Sequence, residues 1–162
     1  MRKVNVSEIE EEPWQSPRGK YAASFKGISL ALGRDENSTD LAKRHPFDLE
    51  ITRVPPGKMN FPYGGHSAQW EMYLVISGNG TVRDEQGTTD IQPGDAFLFP
   101  PNEPHQIRNT GDVDLVYYVI ADNPIGDSAY YPDSRKWKVH RSSAADRPVI
   151  RGDESDYFEG EE

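Results

Sequence analysis

Cysteine is absent from all 162 residues. That excludes a disulfide framework, a thiolate metal site and a cysteine nucleophile, and it suits a reducing compartment. Positive charge is scarce. Eighteen Lys and Arg stand against 27 Asp and Glu, for a formal net charge of −9, which argues against nucleic acid as a partner because phosphate recognition needs a basic face. No apolar run approaches the roughly 20 residues of a membrane span. The opening stretch M-R-K-V-N-V-S-E-I-E-E-E lacks the apolar core of a secretion signal. The expected location is therefore the cytoplasm, with no membrane partner. Also missing are a phosphate-cradling glycine loop, a strand–turn–helix nucleophile elbow and an H-E-x-x-H helix.

The chain offers short strands instead. Its length fits one domain, and aromatics at 10% argue against global disorder. Strand patterns recur every 8–12 residues or so between Gly and Pro turn signals, the mark of an all-β sandwich or barrel. In F-D-L-E-I-T-R-V, Phe47, Leu49 and Ile51 alternate with Asp48, Glu50 and Thr52, so the first set is expected inside and the second in water. Arg53 shares the apolar parity, which places it as a cap on the barrel mouth or facing an anion. I-S-L-A-L-G, ending at Gly33, reads as a first strand, and Arg34 to Arg44 as a loop. Gly78-Asn79-Gly80 signals a hairpin, as does Glu85-Gln86-Gly87 between Thr81–Asp84 and Thr88–Ile91. Ala96–Phe99 is a short apolar strand, and Val113–Ala121 reads as a strand buried on both faces. Residues 1–44 make an N-terminal arm and first strand, with Trp14 as an anchor. Residues 45–122 make the barrel, and residues 123–162 an extension that is acidic and flexible at its end. His45 and His140 read as surface histidines.

Two histidines and a carboxylate, His66, Glu71 and His105, sit in these strand-like segments, and such side chains are ordinary ligands for a divalent metal. Gly57, His66, Glu71 and Gly78 resemble the first cupin motif. Gly94, Pro100, His105 and Asn109 resemble the second, with Asn102 where that motif has Gly. The resemblance covers residues 45 to 122 and implies a cupin double-stranded β-helix, a jelly-roll barrel, here with extended arms at both ends. Flanking stretches such as Y-Y-P-D-S-R-K-W are similar to a group of small single-domain cupins loosely labelled sugar-phosphate-isomerase-like. One motif position departs: Gly64 stands where the first motif histidine belongs.

The resemblance implies a metal held by His66, Glu71 and His105, with zinc, iron, nickel and manganese all suited to the ligand set. Tyr73, two residues from Glu71, shares its face and is the candidate catalytic side chain. One functional reading is a metal-dependent isomerase, epimerase or dioxygenase acting on a small polar metabolite. The other is a non-catalytic small-molecule-binding cupin whose metal site has degenerated. Gly64 is either a strand bulge or room for a ligand, with Gln69 a candidate to fill the vacant coordination position. The arms and the strong outer strand imply a homodimer.

Overall fold

A computed structural model describes residues 1–139, 147–153 and 155–159. His140, Glu154, Glu161 and Glu162 lie outside the described residues. The strands in chain order are β1 (Glu12–Gln15), β2 (Ala22–Gly27), β3 (Phe47–Val54), β4 (Gly65–His66), β5 (Glu71–Ser77), β6 (Gly80–Arg83) and β7 (Thr88–Ile91). They continue with β8 (Ala96–Phe99), β9 (Gln106–Asn109), β10 (Leu115–Asp122), β11 (Ala129–Tyr131), β12 (Lys136–Lys138) and β13 (Val149–Arg151). Two one-turn helices, α1 (Ile28–Ala31) and α2 (Leu41–Arg44), interrupt them.

The strands form three sheets, ordered β1-β2-β3-β10-β5-β8, β13-β12-β11-β4 and β7-β6-β9. They enclose the expected jelly-roll interior. Register fixes which side chains point in. Thr52 opposes Tyr117 and Glu50 opposes Val119 across β3 and β10, while Val119 opposes Tyr73 and Ala121 opposes Glu71 across β10 and β5. One end of the interior is sealed by Val54, Val75, Val82, Ile91, Ile107 and Leu115, each no more than 6% exposed. Burying each such side chain contributes about 1.5–3 kcal/mol. The other end is polar, and the site lies there.

Four local expectations fail. The parity of β3 is inverted: Thr52 and Val54 are buried, Glu50 points inward beside Thr52, and Phe47 is 55% exposed. The alternation rule assumes an apolar interior, whereas this barrel keeps a polar cavity at one end and places Leu49 and Ile51 on the outer sheet face. I-S-L-A-L-G is not a strand, because Ile28–Ala31 turns as α1 and Ser29 Oγ accepts the Leu49 amide at 2.8 Å. The 34–44 loop ends in the turn of α2, capped by Asp40 on the Ala42 amide. Gly78 to Gly80 is a crossover rather than a hairpin, since β5 and β6 belong to different sheets. Gly78 has φ +79°, and a Cβ there would stand 2.4 Å from the Asp114 carbonyl, so only glycine fits.

Other readings hold in whole or in part. β6 and β7 form the hairpin around Glu85-Gln86-Gly87. The strand expected over Val113–Ala121 forms as β10 from Leu115, but burial on both faces fails: Val113 is exposed, Leu115 to Tyr117 are buried and Tyr118 to Ile120 are only half-buried. Trp14 packs on Phe61 with ring centroids 5.2 Å apart. Arg53 pairs with Glu11 at 3.0 Å and Asp114 at 3.2 Å, which is structural work at the surface. Among the described residues no helix is long and apolar enough to cross a membrane.

Candidate functional site

The polar end of the barrel holds a cavity of about 210 Å³, a volume suited to a small metabolite. Its lining includes His66, Glu71, Tyr73 and His105, together with Glu50, Thr52, Tyr117, Tyr131, Lys138 and Arg147. The four side chains expected from sequence therefore meet.

Each is delivered by a different constraint. His66 lies on the two-residue strand β4, which pairs with β11 through Ala129 opposite His66. Glu71 opens β5, and period two carries Tyr73 onto the same inner face. His105 follows the proline-stiffened loop of Pro100, Pro101 and Pro104. Its ring stacks on Phe99 at 3.9 Å and 4°, and its Nδ1 lies 3.1 Å from the Glu103 carbonyl.

These contacts assign the tautomers. His105 Nδ1 donates to the Glu103 carbonyl, so its Nε2 presents a lone pair to the cavity, where the Tyr73 hydroxyl donates at 2.8 Å. His66 Nδ1 lies 2.6 Å from Asp127 Oδ2, so its Nε2 likewise presents a lone pair. Between them stands Glu71, with Oε2 3.2 Å from His105 Nε2 and Oε1 3.8 Å from His66 Nε2. With both rings neutral, two imidazole lone pairs and a carboxylate face one another with one donor, Tyr73, among them. Such an acceptor cluster favours a cation.

Charge balance follows the same logic. Burial pushes the Glu71 carboxyl up, but in the metal-free site a His105 N–H donor and the positive charge of protonated imidazoles outweigh it. They hold the group below its ordinary value, and a bound cation would replace their protons. Burial pushes the His66 imidazole down, and the Asp127 hydrogen bond with the Glu71 charge more than reverses this. The Tyr73 phenol is driven well up by burial and by Glu71. It stays protonated and acts as a donor. Glu50 is the unusual group: burial, reinforced by Asp48 and Glu71, pushes its carboxyl up to about 7 against the opposing Thr52 hydrogen bond.

Several of these residues escape sequence reasoning. Glu50 was hidden by the inverted parity of β3. Asp127, Tyr131, Lys138 and Arg147 lie beyond the motif-bearing segment, and no spacing rule marks them. Gly64 gains its explanation from one of them. A Cβ at Gly64 would stand 2.7 Å from the Tyr131 ring and 2.9 Å from the Tyr130 carbonyl. Gly64 is therefore a close approach to β11 rather than room for a ligand, and a histidine there must displace backbone. Gln69 is turned away, donating to the Asp122 carbonyl at 2.6 Å.

Among the described residues no three His, Asp or Glu side chains form a ready-made metal cage. The donor set nevertheless fits a divalent ion in kind. Two neutral imidazole nitrogens and a carboxylate converge, and the Asp127 carboxylate orients His66 as outer-shell partners of metal-bound histidines do.

Comparison with known proteins bears on the fold that carries this site. Residues 50–121 match the cupin domain family Cupin_2. The oxalate-binding protein of Thermotoga maritima is 29% identical over 117 residues, covering 72% of this chain and 90% of that protein. A solved sugar phosphate isomerase of the cupin superfamily from Silicibacter pomeroyi superposes with a TM-score of 0.75 at 22% identity, covering 92% of each chain. The polyketide cyclase RemF from Streptomyces resistomycificus superposes with a TM-score of 0.59 at 21% identity, covering 76% of this chain and 80% of that one. At such identities these two structures speak to the fold.

Proposed function

We propose that this single-domain cupin holds a divalent metal at His66, Glu71 and His105 and acts there on a small polar metabolite. The observation that carries the reading is the acceptor cluster itself. His66 Nε2, His105 Nε2 and both Glu71 oxygens face inward, and their partners Asp127 and Glu103 fix the lone pairs in that direction. The metal would supply Lewis acidity to a bound oxygen.

The chain's own residues supply the rest. Tyr73, protonated at all ordinary pH, donates a hydrogen bond beside the metal position. Glu50, on the same cavity wall as Thr52, carries a proton near neutrality and is the candidate to take up or release one, as isomerisation or epimerisation requires. The Tyr117 hydroxyl is buried without a protein partner among the described residues and is available to a ligand.

A second reading has specific support. The position of the missing ligand at Gly64 is filled by Tyr131 and the Tyr130 carbonyl, and the relative from Thermotoga bears the name oxalate-binding protein. Under this reading the same cavity captures a small carboxylate without turnover. Metal-loaded protein incubated with small carboxylates and sugar phosphates separates the two. A ligand at about a hundred times its Kd should stabilise the fold by about 2.7 kcal/mol, and the first reading also expects product in molar excess over protein. Stabilisation without product gives the site to the binding reading. Neither effect, with metal bound, contradicts both.

The outer face of the large sheet also fits a second copy of the chain. Met72, Leu74, Ile76 and Leu98 are each 39–51% exposed there, an apolar patch of the kind that marks a subunit contact. Equilibrium sedimentation at micromolar concentration should give a dimer, and the mass of a single chain would contradict this.

A further inference from the structure

Beside the barrel cavity runs a second groove, lined by Arg34, Arg44, Asn123, Lys138 and Arg147 among others. Lys138 and Arg147 line both spaces, so they form the wall between them, with Asp127 on the groove side. In a chain of net charge −9 this is a concentration of positive charge, and its counter-ions are few.

Arg34 is matched by Asp48 at 2.7 Å. The Asp127 carboxylate is engaged by His66 at 2.6 Å and meets the Arg147 guanidinium at 3.8 Å, while Arg147 Nη2 donates a long hydrogen bond to the Asp127 carbonyl at 3.5 Å. Arg44 spends its guanidinium on the carbonyls of Glu36, Ser38, Asn123 and Pro124, with the Glu36 carboxylate also lining the groove. Lys138 has no hydrogen-bond or ion-pair partner among the described residues, and the buried Nε of Arg147 also lacks one. Burial and the neighbouring Arg147 push the Lys138 ammonium down, the expected result of holding two cations together half-desolvated. Opposite them the cavity presents Glu71 and the imidazoles, some of the chain's few convergent ligating groups.

We propose that Lys138 and Arg147 form an anion subsite that grips the charged end of the ligand, so that the metabolite carries a phosphate or carboxylate group. This deepens the function proposed above and rests on it for the ligand's other end, which would reach the metal position. Two cations donating into a half-buried space make charge-assisted hydrogen bonds, and an arginine fork suits either a phosphate or a carboxylate. The subsite would also set the ligand's orientation, with the anionic group at the wall and the reacting carbons between Glu50 and Tyr73.

The test uses full-length protein stripped of metal, titrated calorimetrically with inorganic phosphate and, separately, with oxalate. At least one anion should bind, at Kd in the millimolar range or below, and its affinity should fall about tenfold in Lys138→Gln and in Arg147→Gln. Metal uptake, measured in parallel, should be unchanged in both variants. Should Arg147→Gln fail to fold, Lys138→Gln decides alone. Whichever anion binds more tightly names the group recognised. Absence of binding by both anions, or equal affinity in a folded variant, overturns the subsite while leaving the metal reading intact. Anion binding without metal uptake in the wild type would instead spare the subsite and remove the metal.

Discussion

Replacing Glu50 with Gln should stabilise the metal-free protein at pH 8 and leave it nearly unchanged at pH 5. The sign follows from linkage. An ordinary carboxyl titrates near 4.5, whereas burial pushes Glu50 up to about 7 in the folded chain. Between those values the native state holds a proton that the unfolded state has released. Stability therefore falls as pH rises through this window, and above about pH 7 the fold carries a buried carboxylate. Glutamine retains the shape and a hydrogen-bonding oxygen for Thr52, which now donates at 2.9 Å to Glu50, but it cannot ionise. With each pKa unit worth about 1.4 kcal/mol, and relaxation discounting part of it, the gain at pH 8 is about 1–3 kcal/mol. For a chain of this size that is about 2–4 °C in Tm per kcal/mol. Thermal melts at the two pH values check it. An equal change at both would mean that Glu50 ionises normally and is unfit to carry a proton in the cavity.

The same residue shows where sequence reasoning stops. His66, Glu71, His105 and Tyr73 were legible because they sit in motif-bearing segments, and period-two geometry carries Glu71 and Tyr73 to one face of β5. Glu50 was assigned to solvent because alternation equates apolar with inside. In β3 the polar set faces a functional cavity, and the apolar set faces the outer sheet surface. Asp127, Tyr131, Lys138 and Arg147 reach the site only because β11 pairs with β4 and β12 pairs with β11. The β4–β11 pairing joins residues more than 60 positions apart in sequence and leaves no local signal.

Short irregular elements were opaque for a different reason. α1 is four residues long, too short to show a 3.6-residue period against an apolar run. The crossover at Gly78 carries the same glycine and asparagine signal as a hairpin, because both need positive φ; only the sheet assignment distinguishes them. Gly64 is the instructive case. The sequence left it between a bulge and a pocket, and the answer came from Tyr131, a residue 67 positions further along the chain. Packing against a distant strand fixed what looked like a loss of function.

The larger of the two expected effects concerns the metal. His105 is 8% exposed, clamped between Phe99 and the Glu103 carbonyl, and offers a single inward nitrogen. His66 is oriented by Asp127. Removing either imidazole leaves a carboxylate and one nitrogen, too few protein donors for the usual three-ligand open site. The loss should exceed the 10–100-fold typical of outer-shell changes. Asp127, by contrast, acts through His66 and belongs to that milder class.

The most direct measurement is elemental analysis by mass spectrometry on untagged protein after incubation with manganese, iron, nickel or zinc salts and desalting. His66→Ala and His105→Ala variants, shown to be folded, are carried alongside. The account predicts near-stoichiometric retention of at least one of these metals by the wild type and almost none by either variant. A wild type that retains no metal, or a His105→Ala variant that retains as much as the wild type, would contradict it.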